Sequence, residues 1–453
     1  MLVIKFFIFA ALCFCVSSLE AQEDKSVWKL QDCEEISDVW NGTSVGFDVL
    51  PHGNALYVAF YSYDRNMTIA KRTLDSNRWE LKKLPTKVGW DSHNYVTMTF
   101  DSDDCLHVAG NMHGCPLNYF RADNPNDIAS LQKIDSMTGF SEQKCTYPDF
   151  IRDKENRLIF TYRDGGSGNG SQFWNVYDEK TKKWTRLLDK PLFDGQGRMN
   201  AYFVGPILGP DGLFHIAWVW RDTPDAATNH DLSYACSPDL VRWQNSYGEP
   251  YELPITIENG ECVDPVPARG GILNSHFRMA FDRKNRVLLT YTKYDEKGNL
   301  QIWNARREEN TWRKVKATNW DFTWNFSGGG CLPNEFSLGG ARQVDDDVIA
   351  VPWNKVLLHE SGSTYLDFET LEPREAPIVK NAPVTPDFSE EDSKRVNAID
   401  SEDKRLVNRM ISVDFAEKRW VFRWETLPVN RDQPHPDGVP KPTMFRVYKF
   451  VRN

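Results

Sequence analysis

Hydrophobic and polar positions along this chain recur in one repeated order. A hydrophobic strand leads into a short turn built on Asp, Asn or Gly, and a second strand rich in aromatic and β-branched residues follows. The order is clear in PHGNALYVAFY before NRWELKKL, DKENRLIFTY before KKWTRLL, GPDGLFHIAWVW before LVRWQNS and DRKNRVLLTY before NTWRKV. The turns recur at intervals of roughly 45–75 residues, and four-stranded repeats of such a period are typical of a β-propeller.

The repeats predict an all-β fold, a seven-bladed β-propeller. The predicted blades start near Gly46, Asn94, Tyr147, Tyr202, His276, Phe336 and Leu406. We expect TMFRVYKFV to complete the last blade and SVWKLQDC, from the other end of the chain, to close the ring so that no edge stays open. Helical periodicity is almost absent, and residues 389–404 are predicted to form a solvated loop or a short helix. No linker divides the chain, which predicts one propeller domain over residues 22–453.

The first residues have the pattern of a secretory signal peptide. Lys5 precedes the apolar run Phe6–Val16, and the small residues Ser17, Ser18 and Ala21 follow it. The run is too short to span a bilayer, and no later stretch reaches the roughly 18 apolar residues that a membrane helix needs. Residues 1–21 are therefore predicted to be a signal peptide, and the mature protein to be secreted or periplasmic, without a membrane span and monomeric.

Composition narrows the class of partner. The 453 residues include 54 Lys and Arg against 64 Asp and Glu, a net charge of −10. Nucleic acid binding needs concentrated positive charge, so this balance argues against a nucleic acid partner. The chain is rich in aromatic residues, with 16 Trp, 16 Tyr and 26 Phe. These residues suit β-strands, and their flat rings also suit the apolar faces of sugars.

Histidines stand at the predicted strand ends, where a propeller forms its binding funnel. His93 lies in WDSHNY, His113 in AGNMHG and His52 in VLPHGN. His107 lies between Leu106 and Val108 and is predicted to be buried inside a blade. The alternative for His93 and His113 is a hydrogen-bonded pair between blades without a catalytic role.

Hydrogen-bond donors and arginines follow at later strand ends. The candidate substrate-binding residues are Tyr162, Arg163, Asn200, Tyr202, Arg221 and Tyr234. The stretch Gly165–Gly170 is not a phosphate-binding loop, because it lacks the Lys-Ser/Thr ending and a following helix. Donors combined with arginine suit an anionic, hydroxyl-rich ligand such as a uronate sugar.

Two reactions fit these residue types. In β-elimination beside a uronate, a base removes the C5 proton, a cation neutralises the carboxylate and an acid protonates the leaving O4. In glycoside hydrolysis a pair of carboxylates does the work. Asp91, Asp164, Asp222 and Asp231 are available for hydrolysis, but no spacing singles out a pair.

The ordered set VGWDSHNYVTM, VAGNMHGCPLNYFR, CTYPDF, YRDGGSGNG, RMNAYF and WRDTP…TNHDLSY resembles the BNR-4-type seven-bladed propellers that cleave rhamnose–uronate linkages. That group includes ulvan lyases of polysaccharide lyase families 24 and 25, rhamnose-glucuronate lyases of family 42 and α-L-rhamnosidases of glycoside hydrolase family 145. The resemblance runs from about Val45 to Gly330. Beyond Gly330 only the propeller pattern continues.

The resemblance implies catalytic roles for three histidines. His93 and His113 match the histidine pair of the lyase active sites, and Arg163 and Arg221 match binders of a carboxylate or hydroxyl. His52 falls where the family 145 rhamnosidases have their catalytic histidine. A histidine at position 52 favours release of a terminal L-rhamnose that is α-1,4-linked to D-glucuronate, as on arabinogalactan side chains. The enzyme would be a rhamnosidase or a rhamnose-glucuronate lyase. The alternative for His52 is a turn residue beside Gly53 and Asn54.

Two other functions stay open: an endo-acting lyase that cleaves an ulvan-like rhamnose–uronate polysaccharide, and a propeller lectin without catalysis. The resemblance also implies a bound metal, often calcium, near the propeller axis. No cofactor is expected to take part in the chemistry, and the sequence shows no EF-hand-like or Cys/His set of metal ligands.

Overall fold

The computed structural model describes residues 28–309, 311–377 and 388–452. The predicted signal peptide lies outside these ranges. Residue contacts group the chain into two compact units. The first unit contains the described residues among 1–137, 147–150 and 381–453, and the second those among 138–146 and 151–380.

The first unit contains three four-stranded antiparallel sheets. Sheet I has the strands Asp48–His52, Ala55–Tyr61, Asn66–Thr73 and Glu80–Lys87. Sheet II has the strands Val96–Phe100, Leu106–Gly110, Tyr119–Ala122 and Leu131–Ile134. Sheet VII has the strands Trp28–Val39, Val407–Phe415, Lys418–Thr426 and Thr443–Arg452. A short strand, His113–Cys115, follows the second strand of sheet II.

The second unit contains sheets IV, V and VI and most of sheet III. Its part of sheet III includes the strands Leu158–Gly166, Asn169–Asp178 and Lys183–Arg186. The strand Cys145–Arg152 has residues in both units, because residues 147–150 belong to the first. Sheet IV has the strands Asn200–Leu208, Phe214–Arg221, Asn229–Ser237 and Glu261–Asp264. Sheet V has the strands Phe277–Phe281, Val287–Tyr294, Leu300–Arg307 and Trp312–Lys316, and sheet VI has Phe336–Leu338, Arg342–Asp345, Val348–Lys355, Glu360–Asp367 and Pro373–Arg374.

The strand order follows the repeat seen in the sequence. Within the described ranges the strands form seven sheets, mostly of consecutive antiparallel strands. A strand begins within two residues of each of the seven predicted starts, for example Val96 against Asn94 and Val407 against Leu406. The second strands of sheets I and IV are buried along their whole length, over Ala55–Tyr61 and Phe214–Arg221. The prediction of an all-β fold is confirmed.

The first and last described strands pair in sheet VII, as the sequence predicts. Trp28–Val39 lies antiparallel to Thr443–Arg452, with Trp28 opposite Arg452 and Val39 opposite Thr443. A buried aromatic cluster lies below this pair, where the Phe47 ring stacks on Trp424 at 4.4 Å between ring centroids. The first and last described strands therefore belong to one sheet and share one core.

Helix is rare in the described part of the chain. It consists of the α-helix Glu390–Asn397 and the short 3₁₀ helices Ile128–Ser130, Ala226–Thr228 and Val356–Leu358. Ser389 caps the α-helix by accepting a hydrogen bond from Asp392 N, so the charged stretch 389–404 contains a short helix, one of its two predicted forms. No described helix has the length and apolar character to cross a bilayer.

Candidate active site

In the first unit, one carboxylate joins two histidines. The Nδ1 atom of His93 lies 2.7 Å from Asp91 Oδ1, and the Nδ1 atom of His113 contacts Asp91 Oδ2. The two imidazole rings stack with their centroids 4.5 Å apart. The structure thus brings together the predicted histidines 93 and 113, which are 20 residues apart in the sequence.

Local turns place these three side chains. Asp91 Oδ1 also accepts a hydrogen bond from the backbone N–H of His93, which closes a tight Asx turn just before sheet II. At the other side, Gly110 ends the second strand of sheet II. A Cβ at Gly110 would lie 2.7 Å from Tyr95 O, so only glycine permits the close approach there. The chain can then turn immediately and present His113.

A second carboxylate, from the far end of the sequence, also reaches His93. Asp432 Oδ2 lies 3.4 Å from His93 Nδ1, and Asp432 Oδ1 accepts hydrogen bonds from both the backbone N and the Oγ of Ser92. Asp432 and the preceding Arg431 both have positive φ angles, 61° and 48°. Gln433 N donates to Asn430 O at 2.9 Å, so these two residues form the centre of a tight turn that holds Asp432 beside Ser92.

Tyr147 is the third ring of the cluster. Its centroid lies 5.9 Å from that of His93 and 6.2 Å from that of His113. Its φ of 56° is left-handed, although it precedes a proline. Tyr95 donates a hydrogen bond to Pro148 O at 3.1 Å, which fixes the segment that carries the Tyr147 ring.

The contacts within this cluster shift the pKa values of His93 and Asp91. Burial would lower the pKa of His93, but its contacts with Asp432 and Asp91 outweigh burial and raise the pKa to about 9. Burial would raise the pKa of Asp91, but the hydrogen bonds from His113 and His93 hold that pKa well below its usual range. At neutral pH the group therefore contains an imidazolium at position 93 and a carboxylate at position 91.

His52 lies apart from this pair. Val96 N donates to Gly46 O at 3.2 Å, so the first strands of sheets I and II begin side by side. His52 is at the opposite end of its strand, where its ring stacks on Phe100 at 3.7 Å and its Nε2 lies 2.8 Å from Asp104 Oδ1. His93 precedes Val96, so a strand of five residues, about 13 Å long, separates the two positions.

His107 has the buried location that the sequence predicts. It is fully buried, its Nδ1 lies 2.7 Å from Tyr119 Oη and its Nε2 lies 3.3 Å from Asp101 Oδ2. Both ring nitrogens therefore have protein partners inside sheet II.

In the second unit, three of the predicted binding residues form another cluster. Arg163 donates to Tyr202 Oη at 3.3 Å, and the Arg221 guanidinium lies 5.4 Å from the Tyr202 ring. Ser167 Oγ is 2.9 Å from the same Tyr202 Oη. Burial would raise the pKa of Tyr202, but Arg163 and Arg221 outweigh burial and lower the pKa to about 8. Two cations thus surround a phenol that ionises close to neutral pH.

The glycine-rich stretch shapes this second cluster. It forms the hairpin between Leu158–Gly166 and Asn169–Asp178, with Gly166 opposite Asn169. A Cβ at Gly170 would lie 2.9 Å from Arg163 Cδ, so glycine there leaves space for the arginine. Asn200 Oδ1 accepts a hydrogen bond from Gly168 N, which ties the hairpin to sheet IV. The Asn200 side chain therefore supports the cluster by binding the backbone of the hairpin.

Tyr162 and Tyr234 lie away from these arginines. Tyr162 precedes Arg163 in a strand and therefore points to the opposite face, where Arg186 donates to its Oη at 2.9 Å. Tyr234 is opposite Ala217 in sheet IV, five residues along the strand from Asn229, the partner of Arg221. Its Oη lies 2.6 Å from His215 Nδ1, inside the sheet.

The Asp91, His93 and His113 side chains also have the spacing of a metal site, because their donor atoms lie within 4.8 Å of one another. Calcium prefers six to eight oxygen ligands, and two of these three donors are imidazole nitrogens. The group does not fit the calcium ion that the resemblance implies. The hydrogen bonds to Asp91 already use the Nδ1 atoms of both histidines.

Three members of the histidine cluster are not among the predicted site residues: Tyr147, Asp432 and Asp91, the last of which the sequence offers only as one of four carboxylates for hydrolysis. Tyr147 lies in the CTYPDF motif, so the motif itself was the available signal. Asp432 lies in the proline-rich connection 428–442, which the sequence shows only as a surface segment. Its position beside Ser92, 340 residues earlier in the chain, has no local signature.

Residues 55–320 match the BNR repeat-containing family. The chain belongs to this family. Among curated proteins, it is similar to the short isoform of an ulvan lyase from Alteromonas sp. (strain LOR), with 30% identity over 154 residues. That match spans 28% of this chain and 28% of the relative's length.

Solved structures of low sequence identity share the fold. The polysaccharide lyase Uly1 covers 94% of this chain at 12% identity and a TM-score of 0.56, with 99% of its own chain aligned. A PL25 ulvan lyase covers 75% of this chain at 13% identity and a TM-score of 0.51, with 86% of its own chain aligned. At such identities the likeness concerns the fold.

Proposed function

We propose that the protein is a polysaccharide lyase that breaks rhamnose–uronate linkages by β-elimination, with His93, His113 and Tyr147 at its centre. The observation that carries the proposal is the histidine pair bridged by Asp91, with the Tyr147 ring beside both imidazoles. The partial match to an ulvan lyase supports the same reaction class. This proposal favours the lyase alternative over the rhamnosidase that the sequence analysis put first.

His113 is proposed to be the base. A carboxylate only accepts hydrogen bonds, so the contact with Asp91 keeps the proton of neutral His113 on Nδ1. The lone pair is then on Nε2, which takes the C5 proton of the uronate. Asp91 orients the ring and stabilises the imidazolium that forms, as carboxylate partners of histidine do in other active sites.

His93 is proposed to neutralise the uronate carboxylate. Its raised pKa, about 9, keeps it cationic at neutral pH. A cation beside the carboxylate stabilises the enolate-like charge that develops when the C5 proton leaves. His93 and His113 thus take different roles, although both bind the same aspartate.

Tyr147 is proposed to be the acid. Its hydroxyl protonates O4 as the C4–O4 bond breaks, while the C5–H electron pair becomes the C4–C5 double bond. The products are an unsaturated uronate and a new chain end, and no water is consumed. One acid and one base fit this reaction, so no carboxylate pair is needed.

Arg163, Tyr202 and Arg221 of the second unit are proposed to bind an anionic group of the sugar chain. Charge-assisted hydrogen bonds from arginine suit a carboxylate. Asn200, Tyr162 and Tyr234, also predicted as binding residues, are proposed to support the sheets. Calcium, if the protein binds it, is proposed to bind at oxygen ligands outside the histidine cluster and to have a structural role.

The finer predictions on fold and location are part of the same proposal. We propose that the seven sheets are the blades of one propeller and that the protein acts as a secreted or periplasmic monomer. Its partner is a rhamnose- and uronate-containing glycan. The terminal L-rhamnose–glucuronate linkage is proposed as one substrate besides an ulvan-like polymer.

Product analysis on ulvan and on a rhamnose-capped arabinogalactan tests the reaction. We expect ultraviolet absorbance from an unsaturated uronate and a product lighter by one water than the hydrolysis product. His113→Ala should lower the rate roughly 10²–10⁴-fold with an unchanged circular dichroism spectrum. Saturated glucuronate together with oxygen from isotopically labelled water on released rhamnose would show hydrolysis. Binding of the glycan without any product would show a lectin.

A further inference from the structure

Sheet V of the second unit has a cleft of about 550 Å³ at one end of its strands. It lies where the strand Val287–Tyr294 ends and the strand Leu300–Arg307 begins. Arg221 lies at the corresponding strand ends of sheet IV, where Phe214–Arg221 ends and Asn229–Ser237 begins. The cleft therefore has the same position in sheet V that Arg221 has in sheet IV.

Aromatic rings and polar groups line the cleft together. Tyr294, Trp303 and Trp320 provide the rings, and the polar groups are two amides, two ammonium groups and three carboxylates, from Asn299, Asn319, Lys297, Lys316, Asp295, Glu296 and Asp321. Trp303 and Lys316 are direct partners on neighbouring strands, so their side chains stand on the same face of sheet V. Flat rings beside amides, carboxylates and ammonium groups suit an uncharged pyranose, because its hydroxyls can donate to the carboxylates and accept from the amides and ammonium groups.

A buried amide holds both walls of this cleft. Gln301, which is fully buried, donates from Nε2 to Asp295 Oδ2 at 2.8 Å and to Trp320 O at 2.9 Å. Its Oε1 accepts from Trp320 N at 2.9 Å and from Thr318 Oγ1 at 2.8 Å. One side chain thus ties the turn at 295–299 to the segment at 318–320. The walls are fixed before any ligand arrives, which lowers the entropic cost of binding.

The volume has the scale of a ligand site, since such pockets measure roughly 300–1,000 Å³. None of the residues proposed for catalysis lines the cleft. We propose that the cleft is a separate binding site for an uncharged sugar of the polysaccharide, such as its rhamnose, which holds the polymer but takes no part in bond cleavage. It rests on the proposed function only in taking the same polymer as its ligand.

Affinity electrophoresis in gels that contain a rhamnose–glucuronate polysaccharide tests this site, with the His113→Ala variant as the background so that no cleavage occurs. We expect Lys316→Ala and Trp303→Ala each to weaken retardation about 3- to 10-fold, and Trp303→Phe to retain most of it. Arg313→Ala is the matched control: it removes one positive charge from the same strand, three residues from Lys316 and hence on the opposite face. It should leave retardation unchanged.

Kinetics on long and short substrates separate this site from the active site. With active enzyme, Lys316→Ala should raise KM on the polymer with little change in kcat, and leave cleavage of a disaccharide unchanged. If the wild-type protein forms no unsaturated product but Lys316→Ala still weakens retardation, the lyase proposal fails and the cleft stands. If Lys316→Ala, Trp303→Phe and Arg313→Ala are retarded equally in the gel, the cleft is not a binding site. This comparison holds even when Trp303→Ala does not fold.

Discussion

The imidazole rings of His93 and His113 stack with their centroids 4.5 Å apart. Stacked imidazoles avoid carrying two positive charges unless anions lie close by. Asp91 contacts both rings and Asp432 contacts only His93. The second carboxylate therefore favours the proton on His93, in line with the raised pKa of that histidine.

Asp432→Asn tests this asymmetry. The pKa of His93 is raised to about 9, so the stabilisation from its ion pairs is complete below about pH 6.5 and is lost as the pH rises through 9. Removing the Asp432 charge should lower that pKa by about one and move the alkaline limb of the pH–rate profile down with it. Histidine NMR titration measures the pKa directly. Asp437→Asn, an exposed neutralisation in the same connection, should change neither.

Tyr147→Phe tests the proposed acid. The ring contacts with both histidines stay, while the hydroxyl that protonates O4 is lost. We expect kcat to fall roughly 10²–10⁴-fold and KM to change little. Tyr63→Phe removes a long 3.4 Å hydrogen bond to Pro440 O in the same unit and serves as the control. Equal rates for the two variants would remove Tyr147 from the mechanism.

Tyr202 should ionise about two pH units below an ordinary tyrosine. Its pKa is lowered to about 8 by Arg163 and Arg221, against the effect of burial. The stabilisation from its phenolate is complete above about pH 10 and disappears as the pH falls through 8. Ultraviolet difference titration should show a tyrosinate step near pH 8 that Tyr202→Phe abolishes. Arg221→Met should shift the step upward, and an unmoved step would mean that the guanidinium does not act on the phenol.

His52→Gln separates the two chemistries proposed from sequence. His52 stacks on Phe100 and binds the half-exposed Asp104, apart from the histidine pair. If the protein is a lyase, activity should stay within about twofold, and stability should fall by about 0–1 kcal/mol, the usual value of an exposed ion pair. Loss of rhamnose release with normal stability would instead favour the rhamnosidase mechanism. Mass spectrometry of the products together with a urea unfolding curve measures both effects.

The sequence predicts features that depend on short-range order. Strand alternation and turn residues place the start of sheet II within two residues and bring His93 and His113 to the same strand ends. The sequence predicts Tyr162 and Arg163 together as binding residues, but strand alternation puts their side chains on opposite faces. Asp432 could not be predicted, because its contact with His93 depends on the packing of the last connection and not on a local pattern.

The pairing of Trp28–Val39 with Thr443–Arg452 has a consequence for the order of synthesis. The first described strand leaves the ribosome long before its partner. More than 400 further residues are synthesised before the two strands can pair. Asp432, the second carboxylate at His93, also emerges only in this last stretch. A nascent or prematurely terminated chain therefore lacks both the edge of sheet VII and the charge that holds the His93 proton, so such a chain has neither a finished first unit nor a finished histidine cluster.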